Sequence, residues 1–502
     1  MWSLRGRALS SVALLSATTL TSAARLPVRA DFASCLAADD VNVLTSSSSA
    51  WDTAVTPYNL RLEDQYVPSA IVYPSSPSKI SSALLCASQS GLSVSPLAGG
   101  HSYSASGYGS TNGTLVISLS NLTSLSVDSS SGLAYVQTGL RLGDVAQGLF
   151  NNGERALAHG TCPYVGVGGH TSFGGYGFTS RKYGLAMDQV VEAEIVLANG
   201  TIVNASANEN ADLFWAVRGA APSFGIVTQW TFQTHAAPLT SVGFTYSYKT
   251  PDADSFSRVL TAYTNWATTS APAEIGLEAT IGSGTVSIVG LYEGSQDSFN
   301  GVIGSLLDSM GTPDSSDVKE YGWIEALEWL GGADTISTAA APDTHDTFLA
   351  KSLVTPMSAP LTAETYTAWA NYLLSASTSS LSWFLQVELY GGANSAIMNV
   401  SSDATAFPFR DSLFVMQLYA SSANAQPPYP YDDGYNFLKG VVDTIEGSMP
   451  GADFGAYTNY IDPTLENWQD LYYKGNYDRL VELQKVYDPS NIFMKHQSIG
   501  SA

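Results

Sequence analysis

Pro96-Leu-Ala-Gly-Gly-His-Ser-Tyr103 and Gly160-Thr-Cys-Pro-Tyr-Val-Gly-Val-Gly-Gly-His170 are the two stretches on which the reading of this chain turns. Each sets one nucleophilic side chain, His101 or Cys162, inside a run of glycines, and the second run continues through Gly174, Gly175 and Gly177. Glycine at this density lets backbone come close to a ligand and turns amide N–H groups toward an anion. Neither stretch has the spacing of a Gly-x-Gly-x-x-Gly, Walker-type or Gly-x-Ser-x-Gly motif. That sets aside the ordinary Rossmann, P-loop and α/β-hydrolase readings.

Around these stretches the chain reads as an α+β block of short strands, at 70–73, 115–119 and 134–138, separated by Ser, Gly and Asn turns. A short helix is expected over 144–150, and a hairpin over 192–204 around Asn199-Gly200. Beyond Pro238 longer amphipathic helices, at 255–266, 298–310 and 435–449, alternate with strands such as 286–292 and 384–390. This texture is that of a sheet covered by helices. One further helix is expected over 466–487, stopped by Asp488-Pro489.

The bulk properties narrow the function. Of 502 residues, 45% are hydrophobic and only 13% charged, as in a well-packed globular protein of about two domains. The net charge of −23 argues against a nucleic-acid partner and against anionic lipid. Residues 1–24 read as an export signal, with Arg5 and Arg7 before a short apolar run that Ser and Thr break too often for a membrane anchor. Asn112, Asn121, Asn199, Asn204 and Asn399 head glycosylation sequons, in keeping with secretion. Of the three cysteines, Cys35 and Cys86 can close a loop near the mature N-terminus, which leaves Cys162 over. The six histidines are scattered without a His-x-x-x-His pair, and no metal site is expected.

The two glycine motifs resemble those of berberine-bridge-enzyme-like flavoproteins of the vanillyl-alcohol-oxidase superfamily. Tyr472-Tyr-Lys-Gly-Asn476, Tyr487-Asp-Pro-Ser-Asn-Ile-Phe493 and Gln497-Ser-Ile499 resemble the same family's ending. Within it the chain is most similar to the fungal gluco-, chito- and xylo-oligosaccharide oxidases. The resemblance implies a two-domain fold: a PCMH-type FAD-binding domain over 31–237, a substrate domain over 238–455 and a C-terminal segment, 456–502, that returns to the first. It implies an FAD bonded through His101 and Cys162, and both imidazole and thiolate are nucleophiles suited to an electron-poor ring. Ala98, Gly99, Gly100, Ser102, Gly160, Thr161, Val165, Gly166, Gly168, Gly169, His170, Gly175, Gly177, Val227, Asn459 and Gln497 would line that cofactor. Val167 matches the position where a small residue admits dioxygen beside the flavin.

Tyr460, in Tyr457-Thr-Asn-Tyr460-Ile-Asp-Pro463, matches the family's catalytic tyrosine, with Glu388 as its proton acceptor where an aspartate is common. A phenol of pKa about 10 needs such help to act as a base. The strand at 383–390 supports this independently. Its alternation puts Phe384, Gln386, Glu388 and Tyr390 on one face, a poor core face and a good one for sugar. Gln417 on a neighbouring strand and Tyr103 complete the expected substrate and catalytic set. The expected partners are an oligosaccharide and dioxygen, and the expected state is a monomer. Two rivals stand beside this reading: a same-fold oxidase of an alcohol, phenol or alkaloid-like compound, and a carbohydrate-binding glycoprotein without a working flavin.

Overall fold

The computed structural model describes residues 30–38, 41–63, 65–340 and 343–501, so the expected export signal lies outside the described residues. The first block holds a two-stranded ladder, Arg155–Ala156 against His235–Ala236, and two larger sheets. In the smaller, the strands Ala70–Tyr73, Leu115–Ser118 and Val94–Leu97 run parallel, with Asn42–Leu44 antiparallel at the edge. The helix Pro77–Ser90 makes the crossover. Ser76 Oγ caps its start, Pro77 follows, and Gly91 in the left-handed region ends it (φ 64°). Cys86 on this helix is disulfide-bonded to Cys35 on the helix Ala30–Ala38.

The second sheet is antiparallel, in the order Leu125–Asp128, Leu133–Gln137, Ile226–Gln233, Val190–Val196, Ile202–Ser206. Its last pair is the hairpin that Asn199-Gly200 announces, with Gly200 at φ 80°. The helix expected at 144–150 spans Leu142–Asn151.

The second block is a seven-stranded antiparallel sheet. Its order is Ser315–Tyr321, Ser241–Lys249, Thr285–Glu293, Ile275–Gly282, Leu381–Leu389, Ser412–Ser422, Phe348–Pro356. One face buries Leu385, Val387, Leu389, Phe414, Met416 and Leu418 against the helices Ala253–Thr269, Gln296–Met310, Ala363–Ser375 and Tyr431–Ser448. Alternation therefore sends Gln386, Glu388 and Gln417 to the opposite face. Register sets Gln386 beside Gln417 and Glu278 beside Glu388.

The chain then returns to the first block. Trp468, Tyr472, Tyr473 and Leu480 share a core with Leu213, Trp215 and Trp230, while Ile492 and Phe493 pack under the parallel sheet. The single helix expected over 466–487 is two, Trp468–Tyr473 and Tyr477–Tyr487. The break falls at Lys474 (φ 47°), whose Nζ reaches back to Phe454 O and, at 2.6 Å, to Asp453 Oδ1. Arg181 joins the two blocks. Fully buried, it donates to the carbonyls of Ala271, Pro272, Ile275, Gly391 and Ala393, all beyond residue 238. No helix among the described residues is long and apolar enough to cross a membrane.

Candidate active site

Between the first block and the open face of the large sheet lies a cavity of about 660 Å³. Both glycine motifs line it, and they touch each other backbone to backbone. A Cβ on Gly99 would sit 2.3 Å from Gly166 N, and one on Gly166 2.3 Å from Gly99 N. Only glycine on both sides permits this approach, and it fixes the loop of His101 against the loop of Cys162.

Among the described residues, the amides of Gly99, Gly100, His101 and Ser102 donate to no protein acceptor, a run of free N–H groups suited to an anion. Gly169 has open space where a Cβ would point. Gln497 Nε2 donates to Asp462 O at 2.9 Å, while its buried Oε1 has no partner.

Asp343, absent from the expected set, holds His101. Its Oδ2 lies 2.6 Å from His101 Nε2 and 3.1 Å from Arg141 NH1. Partial burial alone would raise this carboxyl, but its bonds to His101 and Arg141 prevail and keep it below the usual range. Tyr58 stacks on the imidazole at 4.2 Å. With Nε2 committed to the carboxylate, Nδ1 is the nitrogen left free to act as nucleophile. Cys162 is open to the cavity and unpaired, its thiol pushed up by the protein packed around it. His170 Nε2 accepts from Gly160 N at 3.0 Å, and burial pushes the ring down to about 3, so it is neutral.

On the sheet side, Tyr460 Oη donates to Glu388 Oε1 at 2.7 Å, and Tyr103 stacks on the Tyr460 ring at 5.8 Å. Gln417 Nε2 donates to the Tyr103 hydroxyl, and Gln386 Nε2 to Glu278 Oε1 at 2.6 Å. Each glutamine thereby keeps its carbonyl oxygen available to accept. Glu388 is raised by burial and then by Glu278, while Tyr460 is raised by burial and then by Glu388. Glu278 itself is pushed up to about 7 by burial. This carboxylate on the strand Ile275–Gly282 was also not expected, although one acid in an otherwise apolar alternating strand was the signal for it.

Of the expected cofactor and substrate residues, three do not line the cavity. Val167 is fully buried in the first block's core, because the short helix it begins turns its side chain away. Gly175 takes φ 84° against His170 and donates to Tyr457 Oη at 3.0 Å. Tyr390 does follow the alternation of Gln386 and Glu388. Tyr176, stacked on it at 4.0 Å, and Tyr457, edge-on at 5.9 Å, close it off. The others line the cavity together, including Ala98, Thr161, Val165, Val227 and Asn459.

These features fit an elongated ligand with an anionic middle and a ring that two nucleophiles can reach. Residues 68–206 match the FAD binding domain family, and residues 456–500 match the berberine and berberine-like family. The chain is 37% identical to a xylooligosaccharide oxidase of Thermothelomyces thermophilus over 97% of its own length and 98% of that protein's. A structure of xylooligosaccharide oxidase from Myceliophthora thermophila in complex with xylobiose superposes with a TM-score of 0.88 at 36% identity, covering 94% of this chain and all of that one (100%). Glucooligosaccharide oxidase from Acremonium strictum, described with a 6-S-cysteinyl, 8α-N1-histidyl FAD, gives 0.86 at 35%, covering 93% of this chain and 99% of that one. With a cavity built for a flavin and full-length likeness to these oxidases, the chain belongs to the berberine-bridge-enzyme-like family of FAD-dependent oxidoreductases.

Proposed function

We propose that this protein is a secreted oxidase of reducing-end oligosaccharides, converting the C1 hydroxyl to a lactone and dioxygen to hydrogen peroxide. The observation that carries the reading is the Tyr460–Glu388 pair, set in the cavity wall with the two glutamine carbonyls of Gln386 and Gln417. Those carbonyls suit the hydroxyls of a sugar. Tyr460 Oη accepts the C1 hydroxyl proton as its own proton passes to Glu388 Oε1, so no isolated phenolate is needed. The unpartnered Glu388 Oε2 leaves that carboxylate able to take it. His101, through Nδ1, and Cys162, through Sγ, would hold the FAD, with the tautomer of His101 set by Asp343. What the bound FAD supplies is the two-electron acceptor for the C1 hydrogen, reoxidised by dioxygen. The five sequon asparagines are all exposed, which supports glycosylation after export.

A visible spectrum tests the reading. Yellow colour should stay with acid-precipitated protein and bleach under argon with cellobiose, xylobiose or chitobiose but not with an aromatic alcohol. Bleaching by the aromatic alcohol alone would move the substrate to the rival class. Tyr460→Phe should keep the colour and slow bleaching by about 10²-fold or more; near-normal bleaching would remove Tyr460 from the mechanism.

A further inference from the structure

The cavity contains one strong cation. Among the described residues lining it, Lys495 is the only lysine or arginine, and Glu278 and Glu388 are its acids. Lys495 Nζ has a single long hydrogen bond, 3.4 Å to Ser95 Oγ, whose own proton goes to Ser106 O at 2.8 Å. An ammonium group has three donors, so two remain uncommitted. Among the described residues no acid offsets the partial burial of this side chain, which pushes it down to about 8. An uncompensated, partly desolvated charge is costly, and a fold that keeps one in a cavity wall has a place for an anion.

The segment Ser95–Tyr103 orders the cavity. Ser95 meets Lys495 at one end, the free amides of Gly99 to Ser102 follow with His101 among them, and Tyr103 meets Gln417 and Tyr460 at the other end. A flavin bonded to His101 with its reacting edge toward Tyr460 would direct its phosphates away from Tyr460, toward the Lys495 end of this segment, because the chain that carries them leaves the opposite edge of the ring. We propose that Lys495 is the counter-charge of the FAD pyrophosphate and that, with the amides of Gly99 to Ser102, it recruits the dinucleotide before the covalent bonds form. This rests on the cofactor reading above but not on the choice of sugar. It assigns Lys495 to binding and not to sugar oxidation.

The test uses full-length chain expressed in riboflavin-depleted cells and then supplied with FAD, with covalent flavin per chain followed by absorbance after acid precipitation. Lys495→Met should raise the FAD concentration for half-maximal uptake by about tenfold or more, the loss of one charge-assisted bond. Lys495→Arg should stay within about threefold of the parent. ADP should slow uptake by the parent more than adenosine does, and Lys495→Met should erase that difference. A structural lysine would instead lower the melting temperature of the flavin-free protein, whereas Lys495→Met should leave it unchanged or raised. Uptake by Lys495→Met at parental FAD concentrations, or equal loss in the Arg variant, would overturn the assignment. A parent chain that takes up no FAD would instead sink the cofactor reading itself.

Discussion

Glu388 and Glu278 sit side by side in the wall of the cavity, and their shared burial ties the proposed proton relay to stability. Glu278 has an ordinary value of 4.5 in the unfolded chain and about 7 in the fold. Between those pH values the native state holds a proton that the unfolded state has released. Stability therefore falls as pH rises across this window. Glu388 is raised in the same direction, yet the proposed relay needs it ionised to receive the proton from Tyr460. Activity should accordingly rise with pH, in the direction in which stability declines. The acid limb of kcat/KM for sugar oxidation should lie above 4.5, the ordinary carboxyl value. Glu388→Gln should cut flavin reduction by about 10²-fold or more and remove that limb, as read by stopped-flow bleaching across pH. An unchanged limb in the variant would assign it elsewhere.

At the scale of elements, the contact between the two glycine loops sets the spacing of the two flavin attachment points. Gly166 has φ −75°, which alanine adopts without strain, so Gly166→Ala acts through its Cβ alone and pushes on Gly99. The chain should fold, while the peptide bearing flavin on both His101 and Cys162 should fall severalfold in favour of singly linked species, as mass spectrometry of a digest would show. An unchanged doubly linked yield would refute the spacing role. These loops were legible in the sequence because glycine density is a local signal, and so was the hairpin at Asn199-Gly200. The strand Leu381–Leu389 was legible in part. Alternation identified the face of Gln386 and Glu388, but not that Tyr176 and Tyr457 cover Tyr390 on it. Val167 was misplaced for the same reason, since a motif fixes sequence position and not the direction of a side chain. Asp343 and Tyr58 left no local trace, because each meets His101 only through the tertiary fold.

At the scale of the whole molecule, the cavity depends on how the two blocks meet, and Arg181 is central to that. It is fully buried, surrounded by carbonyls of the second block, and lowered to about 10 by desolvation. Arg181→Met should leave those carbonyls without donors and cost about 3–5 kcal/mol. The readout is a lower melting temperature, with a loosened junction also raising the KM for sugar. A melting temperature equal to the parent's would show that the junction stands without it. A last consequence follows from the cysteine inventory. The Cys35–Cys86 bond consumes two thiols and leaves Cys162 open. Outside the cell such a thiol is a handle for unwanted cross-linking between molecules. An attached flavin would cap it, so the bond that holds the cofactor would also passivate the chain.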